Sequence, residues 1–398
     1  YEAAMDVLCV YMGIFDTDFI GDIPYTEAAQ ALHGGTLTPK YDRVADLYDL
    51  WLNNLDADIA AFTTATDQSF EGTQDPVYSG QADKWAKLAN SLKLKIAARL
   101  ISQDRARALQ IAQDVANASC GVLDGESDDF FFNKASYNSS SEDYVYHWNN
   151  GILQSVGASQ PIIDLMVRNR DPRVRFIFQK NEWNSRVVQQ FIDADRTDDI
   201  PSYIMANINL DANGDFESWK APGEPWVRYY GLPLAFNAGQ QAGTYGDWFN
   251  YDTQCLYDNS RAAYYPFSRF QDEQVYGRID FTLPTAVGDP IIQDTDNMPW
   301  FGKYMTTSEV NLYLAEFALL GAALPQSAQA YYDKALRASV EEYDRMASLN
   351  RIPYYGTTYS YDPNEVAIDL KAGEIDEMMS HEEYQLTGDV ASDLEKVY

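Results

Sequence analysis

Apolar residues recur at three- and four-residue spacing in two long stretches near the start of the chain. Between Arg43 and Phe62 the stripe is Val44, Leu47, Tyr48, Trp51, Leu52, Leu55 and Ile59, which predicts an amphipathic helix with one buried face. A second stripe runs from Trp85 through Leu88, Ala89, Leu92, Ile96 and Leu100, while Lys87, Lys93, Lys95 and Arg99 fall largely off it. Asp104 then supplies an N-cap for a further helix through Ala108, Ile111, Ala112 and Val115. Trp85-x-x-Leu88-Ala89-x-x-Leu92 is the first-helix pattern of a tetratricopeptide-like pair, and Ala328, Tyr332 and Ala335 repeat the small, aromatic, small spacing of a second helix. The fold class expected is mainly all-α, built of tetratricopeptide-like helix pairs.

Between about Gly121 and Pro299 this periodicity shortens, and Gly, Pro, Asn, Asp and aromatic residues dominate. That texture predicts loops and short strands. The chain reads as one domain, residues 1–398, in which 1–120 and 300–398 form the helix-pair scaffold and 121–299 a long irregular insertion. Binding surfaces usually lie on loops held by a rigid scaffold, so the insertion is the place to look for a ligand.

Composition narrows the function. With 46% hydrophobic residues the chain has ample material for a core, and its formal net charge of −31 is spread along it. Nucleic acid is therefore a poor partner on electrostatic grounds, and so is an anionic membrane surface. Cys9, Cys120 and Cys255 lack C-x-x-C spacing, which argues against a disulfide framework and a zinc site and reads them as small buried hydrophobes. No apolar run reaches the length needed to span a bilayer. The chain opens inside a helix-like pattern at Tyr1 to Leu8, from which a natural N-terminus that has been removed is expected.

Catalytic signatures are missing. Only His33, His147 and His381 could serve as imidazole bases, no nucleophile elbow occurs, and the glycine pairs lack the ending of a phosphate loop. Sixty carboxylates are too many for a glycosidase pair to be singled out. The reading is a protein that is not an enzyme. Calcium is the one candidate cofactor: Asp211, Asn213, Asp215 and Glu217 present side-chain oxygens at alternating positions, although Phe216 stands where a calcium loop needs Gly and Pro222 replaces its closing Glu. An Asx-type turn accounts for the same residues. Core packing must absorb most of the central aromatics, but Trp183, Trp219, Trp226, Tyr245 and Trp248 sit beside Gly, Asn, Asp or Pro rather than in apolar runs. They are the candidate platforms for stacking on sugar rings. Trp51 and Trp85, on helix stripes, are core by the same criterion.

Several motifs run along the chain in a fixed order: Gly21-Asp22-Ile23-Pro24-Tyr25-Thr26-Glu27-Ala28, Thr38-Pro39-Lys40-Tyr41-Asp42, Trp85 to Leu94, Asp164-Leu165-Met166 with Asp171-Pro172-Arg173, Tyr230-Gly231-Leu232-Pro233, and Glu309 to Ala318. In these the chain resembles the SusD/RagB family of bacterial cell-surface nutrient-binding lipoproteins. The resemblance implies binding of an oligosaccharide, peptide or other oligomeric nutrient and its delivery to a SusC-like, TonB-dependent transporter. It further implies a place on the outer face of the outer membrane, held through a lipid anchor on a Cys in the missing leader. Asp393 to Tyr398 stand where the family continues into another helix and an Arg-rich closing motif. A secreted glycoside hydrolase and a surface adhesin are the alternatives from other classes.

Overall fold

A computed structural model describes residues 1–64, 72–134, 157–234, 257, 263–271, 273–276, 280–295 and 300–398. Four helices open the chain: α1 (Glu2–Ile20), α2 (Val44–Thr64), α3 (Ala82–Leu100) and α4 (Arg105–Asn117). After strand β1 (Phe130–Lys134) come four short helices, α5 (Gln160–Arg168), α6 (Val174–Ile177), α7 (Ser185–Asp193) and α8 (Ser202–Met205), then the strands β2 (Ile208–Leu210) and β3 (Phe216–Trp219). Helix α9 (Glu273–Tyr276) precedes β4 (Asp280–Thr282), β5 (Gln293–Thr295) and β6 (Trp300–Met305). Helices α10 (Thr307–Leu319), α11 (Ala328–Leu349), α12 (Glu374–Met379) and α13 (Val390–Val397) close the chain. The strands form only two-stranded sheets among the described residues: β1 with β6, and antiparallel β2 with β3 and β4 with β5. The structure is thus mainly α-helical, as the periodicity predicts.

The chain divides into two compact units. Unit 1 is Tyr1–Phe132, Lys303–Ser339 and Gln385–Tyr398; unit 2 is Asn133–Gly302 and Val340–Tyr384. Residues 340–384, assigned to the scaffold from sequence, therefore cluster with the central part.

In unit 1, α3 lies against α2 and α4 and also meets α1 and α10. Its stripe is buried as expected, with Trp85 at 2% exposure and Leu88, Ala89 and Leu92 fully covered. Neighbours on every side explain why Asn90 and Ser91, off the stripe, are buried too. Asn90 Nδ2 donates to the carbonyls of Val115 (3.0 Å) and Gly121 (2.8 Å), satisfying the open end of α4. Asp104 caps α4 by accepting the Arg107 N–H at 3.1 Å. Trp51 is fully buried on α2, and a Cβ on Gly13 of α1 would stand 2.5 Å from its ring, so the two helices approach closely only because that position is glycine. Tyr332 and Ala335 of α11 are buried, and Ala328 is half-buried.

The two opening motifs tie one loop. Asp22 Oδ1 accepts the Val44 N–H at 3.0 Å, starting α2, and Asp42 Oδ2 accepts the N–H groups of Tyr25 (3.1 Å) and Thr26 (2.7 Å). Those bonds hold the Asp42 carboxyl below the usual carboxylate range, the Thr26 N–H most of all. In the later motif Thr306 and Glu309 make the N-terminal pattern of α10: Thr306 Oγ1 accepts the Glu309 N–H at 3.4 Å. Asp129 Oδ1 accepts the Thr307 N–H at 2.6 Å. The cysteines depart from expectation. Cys9 is exposed and Cys120 half-buried, because each falls off the buried face of its segment, and Cys255 lies outside the described residues.

One buried acid makes unit 1 sensitive to pH. Asp58 of α2 is 7% exposed and hydrogen-bonds Asp6 of α1. Burial, followed by the Asp6 charge, pushes the Asp58 pKa up to about 7. A folded-state pKa above the unfolded one means that this carboxyl favours folding fully below its unfolded pKa and loses that contribution as pH rises through about 7. Stability measured by denaturant should therefore fall between about pH 5 and pH 8. Asp58→Asn should flatten that fall and raise the midpoint at the alkaline end; a pH profile identical to the parent's would contradict the assignment.

Candidate functional site

Unit 2 has little regular structure, so its backbone is held by side chains. Asn184 caps α7 by accepting the N–H groups of Arg186 (3.1 Å) and Val187 (2.9 Å), while its Nδ2 donates to Pro284 O at 2.8 Å. Asp171 Oδ1 accepts the Arg173 N–H at 3.0 Å, and its Oδ2 accepts the Tyr384 hydroxyl at 2.7 Å, so Asp171-Pro172-Arg173 is a staple across sequence-distant segments. Gly231 allows its segment to lie on the start of α5, where a Cβ would stand 2.5 Å from Gln160 Cα. Leu232 exchanges backbone hydrogen bonds with that same strip, to Ala158 O (2.7 Å) and from Gln160 N (2.8 Å).

Four charges meet at the centre of this unit. Lys180 Nζ lies 3.0 Å from Glu224 Oε2 and also pairs with Glu365, while Arg228 Nη1 lies 2.6 Å from Glu224 Oε1 and 3.6 Å from Glu365 Oε2. The Lys180 ammonium sits 4.4 Å from the centroid of the Tyr354 ring. Burial raises the Glu224 carboxyl pKa, with Lys180 opposing and Glu365 reinforcing the shift, and the pairing keeps Arg228 charged. All four side chains are at most 2% exposed. A substrate cannot touch them, so the cluster is a structural pin rather than an acid–base pair.

The aromatic residues singled out in the sequence separate by burial. Trp183 is fully buried, packed with Val187, Val188, Phe191, Ile200, Ile204, Ile208 and Tyr264, and its Nε1 donates to Tyr264 O at 3.2 Å. Trp226 is buried with Ile163, Met166, Val174 and Tyr229, and the guanidinium groups of Arg170 (5.4 Å) and Arg175 (5.5 Å) lie over its ring. Neither offers a ring face to a ligand. The premise that a tryptophan beside loop residues is exposed fails here, because short loops and helices wrap these rings as miniature cores. Tyr245 and Trp248 lie outside the described residues.

Trp219 is different. It stands at the end of β3, half-buried on the rim of the Trp183 cluster, edge-on to Phe216 with centroids 5.0 Å apart. Its Nε1 is covered and has no acceptor among the described residues. On the same rim is half-buried Tyr203, stacked on half-buried Tyr230 at 3.6 Å and 10°. Asn209 and Ser218 bridge the hairpin strands with a 3.1 Å side-chain hydrogen bond. Partly accessible rings beside amide and hydroxyl groups make a surface suited to a sugar, whose C–H faces stack while its hydroxyls bond. The Tyr203–Tyr230 pair escaped the sequence reading because Tyr203 lies on α8 and Tyr230 in a motif read only as a family mark.

The turn of this same hairpin carries the calcium candidates. Asp211 Oδ1 accepts the N–H groups of Asn213 (2.8 Å) and Asp215 (3.0 Å), its Oδ2 meets Asn213 Nδ2 at 3.3 Å, and Asp215 Oδ1 accepts from Gln189 Nε2 at 2.8 Å. Glu217 is exposed on β3. Among the described residues no three His, Cys, Asp or Glu side chains converge as a metal site would. The oxygens of Asp211 are committed to closing the turn, which does not fit a cation cage.

A SusD-like family model described as starch-binding and associating with the outer membrane matches residues 1–210. Among solved structures, a SusD homologue of Bacteroides fragilis aligns with 20% identity and a TM-score of 0.58, over 99% of this chain and 67% of that one. A chitin-binding protein aligns with 18% identity and a TM-score of 0.58, over 100% and 65%. A SusD homologue of Bacteroides uniformis gives 19% and 0.53, over 100% and 67%. At such identities the structural likeness speaks for the fold, and the chain spans about two thirds of each relative's length. The curated proteins gave no match.

Backbone N–H groups, first that of Asp215 and then that of Asn213, hold the Asp211 carboxyl below its usual range. A depressed pKa means that the turn's contribution is present at neutral pH and lost only as pH falls through that lowered value. Millimolar calcium should leave the melting temperature unmoved at neutral pH. A rise reversed by EDTA would restore the cation reading.

Proposed function

The chain belongs to the SusD-like family, whose members associate with the outer membrane and bind glycans, and on that premise we propose that it binds an oligosaccharide outside the outer membrane and passes it to a SusC-like, TonB-dependent transporter. A lipid anchor holds it on the cell-surface face, and no chemical step is required of it. One lipid chain anchors only marginally, so the transporter supplies the second contact.

The observation that carries the reading is the half-buried rim of the Trp183 cluster, on which Trp219 and Tyr203 both pack and where Tyr230 stacks on Tyr203. A flat ring face binds a pyranose by excluding water from its C–H side, and it selects ring geometry rather than a particular hydroxyl pattern. Starch and chitin fragments, the sugars of the family description and of one structural relative, are the first ligands to try.

Calorimetry against malto-oligosaccharides, chito-oligosaccharides and a peptide mixture should find at least one binding glycan. Trp219→Ala and Tyr230→Ala should weaken it at least about tenfold while the protein stays folded by circular dichroism, the behaviour of anchors in a binding site. Trp183→Ala should instead lower the melting temperature. Binding of peptide alone, or equal affinity in Trp219→Ala, would overturn this site. A reducing-end signal released from the glycan would overturn the binding-only reading.

A further inference from the structure

Charge around the rim that carries Trp219 is one-sided. Residues 193–220, from the end of α7 to just past β3, hold seven carboxylates and only two cations, Arg196 and Lys220. Three of the carboxylates gather at the hairpin. Gln189 Nε2 donates to Asp193 Oδ1 and to Asp215 Oδ1, at 2.8 Å each, so two of them lie within reach of a single amide. Ile192, next to Asp193, packs on the same cluster as Trp219. Glu217 is exposed two positions before Trp219, a step of about 7 Å along the strand. At 0.1 M salt a charge is felt over about 10 Å, so these groups act on whatever stacks there.

The two cations are committed elsewhere. Arg196 Nε pairs with Asp199 Oδ2 at 2.6 Å and its Nη1 donates to Tyr257 O, while Lys220 Nζ donates to Ala206 O at 2.9 Å, just after α8. Arg228, two residues before Tyr230, is closed off against Glu224. A carboxylate or sulfate on a sugar at this rim would thus enter a field of like charge. A neutral ring meets no such penalty, and an ammonium group is attracted.

Resting on the glycan-binding reading above, we infer that this site selects its sugar by charge: it takes neutral or amine-bearing oligosaccharides, such as chitin fragments with free amino groups, and refuses uronate-bearing or sulfated ones. The rings supply the stacking common to all these sugars, and Asp193, Asp215 and Glu217 supply the discrimination, an instance of specificity built by repulsion.

The test is calorimetry on the full chain with four tetrasaccharides: maltotetraose, the N-acetylglucosamine tetramer, the same tetramer deacetylated, and tetragalacturonate. At low salt galacturonate should bind at least about tenfold more weakly than the tighter neutral tetramer, and more weakly than the deacetylated one. That gap should narrow at roughly 0.5 M salt. Glu217→Lys should narrow it at least about threefold at low salt, and Glu217→Gln should narrow it less. Galacturonate as tight as the neutral tetramers, a deacetylated tetramer no tighter than galacturonate, or a gap unmoved by salt and by both variants would overturn the inference and leave glycan binding standing. No binding by any of the four would overturn the glycan reading itself.

Discussion

Lys180, Glu224, Arg228 and Glu365 put two cations against two anions where water scarcely reaches, and the irregular half of the molecule is organised around them. The ion pairs alone would be a weak source of stability, since desolvation offsets most of the attraction. What they accomplish is geometric. Lys180 Nζ also donates to Val366 O at 2.8 Å, and Arg228 Nη2 donates to Asn181 O at 2.5 Å, so the charges reach main-chain carbonyls that no helix or sheet would satisfy. Removing any one partner would leave an uncompensated buried charge, a loss of about 3–5 kcal/mol. Segments far apart in sequence are thereby fixed in one arrangement, and Tyr230, two residues beyond Arg228, is held where it can stack on Tyr203.

The helical scaffold was legible because it follows a single rule. Trp51 and Trp85 sit on stripes of period 3.6, and both are buried; Asp104 has the residue type and position of an N-cap, and it caps. The second unit follows no such period. Lys180, Arg228 and Glu365 look like solvated loop residues in a linear reading, since nothing local reveals that their partners lie up to 185 residues away. The loop tryptophans are turned inward as well: Trp226 is covered by Arg170 and Arg175, and Trp183 fills a core made from α7, α8 and β2.

The same logic explains which part of the candidate surface was visible beforehand. Trp219 stands out in the sequence because it sits beside loop-type residues rather than in an apolar run, and at the end of β3 its ring is left half-buried on a rim. Its companions were not, because a stacked pair joins residues 27 positions apart, Tyr203 and Tyr230. The hairpin turn from Asp211 to Asp215 has the oxygen-rich spelling of a calcium loop, yet its carboxylate is consumed by two backbone N–H groups. Turn closure and metal binding call for the same residues, and only geometry separates them.

Hydrogen–deuterium exchange with and without a binding oligosaccharide tests most directly the proposal that the sugar binds on the rim around the β2–β3 hairpin. The account predicts slowed exchange concentrated in residues 203–220 and around Tyr230, with little change in the helices of unit 1. Protection confined to other segments, with residues 203–220 unaltered at saturating sugar, would contradict it.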